Sequence, residues 1–143
     1  MMDALTIYRL AHWLHIRRVP VLPNLLQVCI FLLFNSYIPY QTKIGKGTRV
    51  GHRGIAVVIN KETIIGENVL IRAHVTIGKK EPEGKAPVIG NHVSIGDGAK
   101  ILGDVQVGDY AQIGANAVVL TNLPANSIAV GVPARVIKEC VNA

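Results

Sequence analysis

The chain is 143 residues long, half of them hydrophobic, and carries a formal charge of +6. That length suits one compact domain with a small appendage, and the charge favours anionic partners without choosing among phosphates, nucleotide cofactors, nucleic acid and membranes. No Lys/Arg block or RNA-binding aromatic pattern supports nucleic acid, and two cysteines, Cys29 and Cys140, give neither a zinc spacing nor a disulfide framework, which fits a reducing cytoplasm.

The opening run MMDALTIYRLAHWLHIRR does not read as a signal peptide, because Asp3 comes early and no cleavage site follows an apolar core. Ile7, Leu10, Ala11 and Leu14 fall at helical intervals, which predicts a helix with those residues on one face. Arg17 and Arg18 follow at its C-terminus, where positive charge is favourable. Pro20 and Pro23 then break the chain, and residues 25–34 predict a second, more apolar helix with Asn24 as N-cap. This apolar run is about half of the roughly 20 residues that a membrane span needs.

After Tyr40 the period becomes six. Aliphatic residues stand at Ile44, Val50, Ile59, Ile65, Ile71 and Ile77, and again at Ile89, Ile95, Ile101, Val107, Ile113 and Val119. Glycine follows directly at most of these, and a small or branched residue comes four positions on, as at Val69, Val75, Val93, Ala99 and Ala111. This is a hexapeptide repeat of the kind that builds a parallel β-helix. Three hexapeptides close a triangular coil, and equivalent residues stack about 4.8 Å apart. The spacing predicts about five coils, with glycines at the tight corners. A narrow interior filled by aliphatic ladders also explains why aromatics make up only 5%. The organisation expected is a helical segment over 1–39, a β-helix over 40–138 and a tail over 139–143.

The repeat breaks twice. Val50 to Ile59 is three residues too long, and His52 lies in that break. Between Ile77 and Ile89 the polar KKEPEGKAP reads as a loop standing in for one face. On that count His52, His74 and His92 fall along one edge, where a neutral imidazole can take a proton from a hydroxyl.

Several runs in order, YRLAHWL, GHRGIAVVIN, IRAHVTIG, PVIG, IGDGAKILGDVQVG, IGANAVVLTNLP and VGVPARVIK, resemble the serine acetyltransferase group of hexapeptide-repeat enzymes. GIAVVINK and IRAHVTIG look more like the exopolysaccharide and colanic acid acetyltransferases within it. The resemblance implies a left-handed coil, a homotrimer, and acetyl transfer from acetyl-CoA, without a metal, to a hydroxyl. It implies His52 as general base; His74, placed on the same edge by the repeat, is a candidate helper. It implies a cofactor groove lined by Gly78, Gly96, Asp97, Gly114 and Ala115, with Lys79, Arg135 and Lys138 as candidates for the CoA phosphates.

The sequence departs from that group at Gly51, where an Asp precedes the catalytic histidine, and at Lys85-Ala86, where Arg-His is usual. These departures favour a sugar hydroxyl of a capsule or exopolysaccharide as acceptor. Serine, on the route to cysteine, is the alternative, and a non-catalytic solenoid scaffold is a remote one. The helical segment is expected to cover the open first coil, with contact to a membrane surface as the other reading.

Overall fold

The computed structural model describes residues 2–140. Helix α1 spans Ala4–Ile16, and the Asp3 carboxylate caps it by accepting the Thr6 N–H at 2.8 Å. Its buried row runs through Ala4, Tyr8 and Ala11, with Ile7 and Leu14 beside it, while Leu10 falls outside that arc and is exposed. Helix α2 spans Leu22–Phe34 and so begins three residues before the predicted start. Pro23 sits in its first turn, where an N–H has no intrahelical partner, so this proline starts the helix rather than breaking it. Val21, not Asn24, is the residue at the cap position.

Short strands then build the coils. The first contains β1 (Lys43–Ile44), β2 (Arg49–Val50) and β3 (Val58–Ile59), and the second β4 (Ile64–Ile65), β5 (Leu70–Ile71) and β6 (Thr76–Gly78). The third contains β7 (Val88–Ile89), β8 (Ser94–Ile95) and β9 (Lys100–Leu102), and the fourth β10 (Gln106–Val107), β11 (Gln112–Ile113) and β12 (Val118–Val119). Successive coils pair in parallel on three faces, which makes a parallel β-helix, and its hexapeptide repeat is that of the left-handed form. A fifth coil starts, with Leu123 bridging Val107 and β13 (Ser127–Val130) pairing with β11. It does not close, because β14 (Arg135–Glu139) turns back antiparallel to β13. The solenoid thus has four complete coils rather than five. Of the tail expected over 139–143, residues 141–143 lie outside the described residues.

Aliphatic ladders fill the interior. Ile59, Ile77, Ile101 and Val119 stack on one face, and Val50, Ile71, Ile95, Ile113 and Ala129 on another. Apart from the half-buried Val50, all are buried, each contributing about 1.5–3 kcal/mol if large. The buried aromatics, Tyr8 and Phe34, lie in the helical segment and not inside the coils.

The repeat glycines act differently from the expectation. Corner residues with left-handed backbone are mostly Asn68, His74, His92, Tyr110 and Asn116. Gly96, by contrast, has room for nothing larger: a Cβ there would lie 2.6 Å from the Ala115 nitrogen on the next coil. Glycine is needed where successive coils approach closely just beyond a strand, as at Gly45, Gly66, Gly90, Gly96 and Gly108, but not at Gly51 or Gly78, where a Cβ has room.

The helical segment packs on the first coil. The Tyr8 hydroxyl donates to the Thr42 carbonyl, and Arg9 donates to the carbonyls of Gly45 (3.0 Å) and Thr48 (3.3 Å). Burial pushes the Tyr8 phenol up to about 12. No helix of the described residues is long and apolar enough to cross a membrane.

Candidate active site

The three extra residues after Val50 form a tight turn, His52–Gly54, at the edge between the second face (the β2 stack) and the third face (the β3 stack). His52, Arg53 and Gly54 all have positive φ, at 47°, 63° and 83°. Two consecutive non-glycine residues in this region cost energy, and such strain persists only where the surroundings enforce it. Here they do. The buried Ser36 hydroxyl donates to the Gly54 carbonyl and accepts the Val57 N–H at 2.9 Å. The Ala56 N–H reaches the Phe34 carbonyl at 3.0 Å. Arg53 donates to the Met2 carbonyl at 3.2 and 3.3 Å, and the Ala4 methyl occupies the space that a side chain at position 54 would need. The turn rests on both helices, and it holds the His52 side chain exposed.

His74 lies on the same edge one coil up, its N–H bonded to the Ile55 carbonyl at 3.1 Å. Two further coils contribute Gly96-Asp97 and Gly114-Ala115. These four residues line a groove of about 300 Å³ with Arg72, Ser94, Gln112, Ile113 and Ile128. Arg72 and Asp97 stand 4.0 Å apart, and both are about half exposed, so their pairing is weak and open to exchange.

The edges differ in how their backbone is satisfied. At the edge between the first face (the β1 stack) and the second, the Asn91 side chain accepts the Glu67 N–H (2.8 Å) and Asp109 accepts the Asn91 N–H (2.7 Å). At the second–third edge the equivalent N–H groups, those of Ala73, Asp97 and Ala115, meet no acceptor among the described residues. Small side chains and free donors along a shallow groove fit a thin, amide-bearing arm such as pantetheine, and a free N–H suits a developing oxyanion.

Not every candidate joins this edge. Ile77 pairs with Ile101, 24 residues on, so the KKEPEGKAP segment is an added excursion and does not replace a face. His92 therefore falls on the first–second edge, stacked on Tyr110 with ring centroids 4.6 Å apart, and not in line with His52 and His74. Gly78 and Lys79 lie at the third–first edge, away from the groove, and Lys79 pairs with Glu62. That pairing lowers the Glu62 carboxyl, chiefly through its hydrogen bond from Lys79. Arg135 and Lys138 are exposed on β14, where Lys138 is in register with the groove residue Ile128. Two groove or turn residues were not singled out in the sequence. Arg72 replaces the glycine that follows other anchors, which is a readable signal, whereas Ser36 sits in a stretch without any period.

A family model described as bacterial transferase hexapeptide (six repeats) matches residues 86–121. A serine acetyltransferase of Helicobacter pylori strain J99 is 44% identical over 138 residues, covering 95% of this chain and 80% of that protein. A serine acetyltransferase of Synechococcus elongatus is 40% identical over 137 residues, covering 94% of this chain but only 56% of its own length. The crystal structure of serine acetyltransferase in complex with coenzyme A from Brucella abortus strain S19 superposes with a TM-score of 0.90 at 34% identity, over 98% of this chain and 56% of that one. The chain thus spans little more than half the length of several proteins it resembles. These matches overturn the sugar-acceptor reading and the closeness to exopolysaccharide enzymes. That reading weighed a few positions, chiefly Gly51 and Lys85-Ala86, against a similarity that runs along almost the entire chain. The Gly51 change also leaves the site's frame intact, since a Cβ there would make an ordinary 3.5 Å contact with Arg72.

Proposed function

Because the chain belongs to the serine acetyltransferase family, we propose that it transfers the acetyl group of acetyl-CoA to the hydroxyl of serine. The observation that carries this reading is the second–third edge, where the enforced His52 turn stands below a groove of small residues and free N–H donors. His52 takes the proton from the serine hydroxyl as its oxygen attacks the thioester carbon. A backbone N–H of the edge stabilises the tetrahedral oxyanion. The C–S bond then breaks, and the imidazolium returns the proton to the leaving CoA thiolate. His74, one coil up, assists the base.

Gly96, Asp97, Gly114 and Ala115 hold the pantetheine arm, and Arg135 and Lys138 attract the phosphates. A homotrimer completes the groove in this reading. Gly78 and Lys79 cannot reach the groove of their own chain from the third–first edge, but they can line the groove of a neighbouring copy. The assay is thiol release from acetyl-CoA with L-serine, with the acetylated product identified by mass. Replacing His52 with Ala should lower kcat by about 10²–10⁴-fold. Absence of serine-dependent thiol release, or full activity in His52→Ala, would overturn the reading.

A further inference from the structure

The charge of the chain is not spread along it. Residues 4–61 contain eight Lys or Arg (Arg9, Arg17, Arg18, Lys43, Lys46, Arg49, Arg53, Lys61) and no Asp or Glu. The rest of the chain holds the other seven basic residues and all nine acidic ones. In the fold, residues 4–61 are the two helices and the first coil, and Asp3 caps the first helix, so this end of the solenoid carries a formal +7 with a single carboxylate and the remainder is −1.

That same end presents an apolar surface. Helix α2, LPNLLQVCIFLLF, has no charged residue. Ile30, Phe34 and Pro23 are buried against the body of the protein. Its opposite row, Val21, Leu25, Val28 and Leu32, follows helical spacing and is 67%, 55%, 52% and 73% exposed, with Leu33 beside it at 62%. A helix that is apolar all round is ordinarily buried all round. Here half of it faces solvent, at the end of the molecule that holds eight basic residues and one carboxylate.

We propose that this face of α2 docks on a bilayer surface carrying anionic headgroups. The row from Val21 to Leu33 enters the headgroup–acyl boundary, and the basic residues around it meet lipid phosphates. A second copy of the chain fits the surface less well, because face-to-face contact would oppose two ends of +7, each with a single carboxylate, Asp3, already engaged in capping α1. The docking does not depend on the acetyl acceptor.

The test uses the full chain in a flotation assay with two vesicle types, phosphatidylcholine alone and phosphatidylcholine mixed with phosphatidylglycerol. Binding is expected to the mixed vesicles, to weaken as salt rises, and to fall about tenfold or more in the double variant Leu25→Asp/Leu32→Asp. Both positions are solvent-exposed, so the variant should keep its circular dichroism spectrum and its acetyl transfer. No flotation with the mixed vesicles, or equal flotation of the variant, would overturn the proposal. So would sedimentation showing that the variant changes the oligomer size, since the face would then belong to another copy.

Discussion

Replacing Ser36 with Ala removes one oxygen from the point where the end of the helical segment meets the His52 turn. Ser36 is 1% exposed, and its hydroxyl is the partner of both the Gly54 carbonyl and the Val57 N–H. Gly54 and Val57 are themselves buried. The Ala variant leaves a void the size of a hydroxyl, too small for a water to take over both bonds. Each of the two orphaned buried groups costs about 1–3 kcal/mol, so the expected loss is about 2–6 kcal/mol. For a domain of this size that corresponds to a drop in Tm of roughly 5–15 °C. The melt should be followed by circular dichroism at one fixed protein concentration, since assembly would otherwise shift it. Because the groove of the third and fourth coils is remote from Ser36, kcat should fall while KM for acetyl-CoA stays near its original value. A Tm within about one degree of the parent, with unchanged kcat, would refute the argument that Ser36 enforces the strained turn.

Two further outcomes follow from the same geometry. Gly51→Asp should fold normally, because position 51 has ordinary extended backbone (φ −79°, ψ 157°) and room beside Arg72. It should raise kcat/KM for serine, by about tenfold, by placing a carboxylate next to the base, and a loss of activity would count against the proposed acceptor. Tyr8→Phe tests the helical segment at high pH. The folded phenol is raised from 10.0 to about 12, so its contribution is fully present below pH 10 and is lost as pH rises towards 12. Urea melts across that range should show the parent losing stability that the Phe variant does not lose, and parallel curves would reject the assignment.

The ladders were legible because a solenoid repeats one local environment. Each anchor meets its counterpart on the next coil, so a period of six in the sequence becomes a stack in space without any long-range guess. The edge that holds His92 was misread for the same reason. Counting the KKEPEGKAP segment as a face kept His74 and His92 one period apart, but Ile77 pairs with Ile101, 24 residues on, where Ile101 pairs with Val119 after 18, so six residues of this coil are additional to its three faces. The role of the corner glycines was also hidden, because a glycine required by the approach of the next coil looks the same in sequence as one required by a positive φ. Ser36 and the Pro23 start of α2 were not legible at all. Their reasons lie in contacts with the His52 turn and in a helix end, neither of which has a periodic signature.

The place of the His52 turn in the stack explains why the chain can hold it. An insertion between two coils would have to keep register above and below. The insertion after Val50 lies in the first coil, with a coil on one side only. There the register survives it, as Val50 still pairs with Ile71 and Ile59 with Ile77. On the other side the helices take the place of a coil. Ser36 and Phe34 supply the bonds that a regular strand would have made, Ala4 fills the space at Gly54, and Tyr37 extends the third face by bridging Val58. The strained turn and the helical segment are therefore one device. The turn departs from the repeat because something other than the repeat supports it, and the departure is what brings an exposed imidazole to the foot of an edge whose N–H donors are still free.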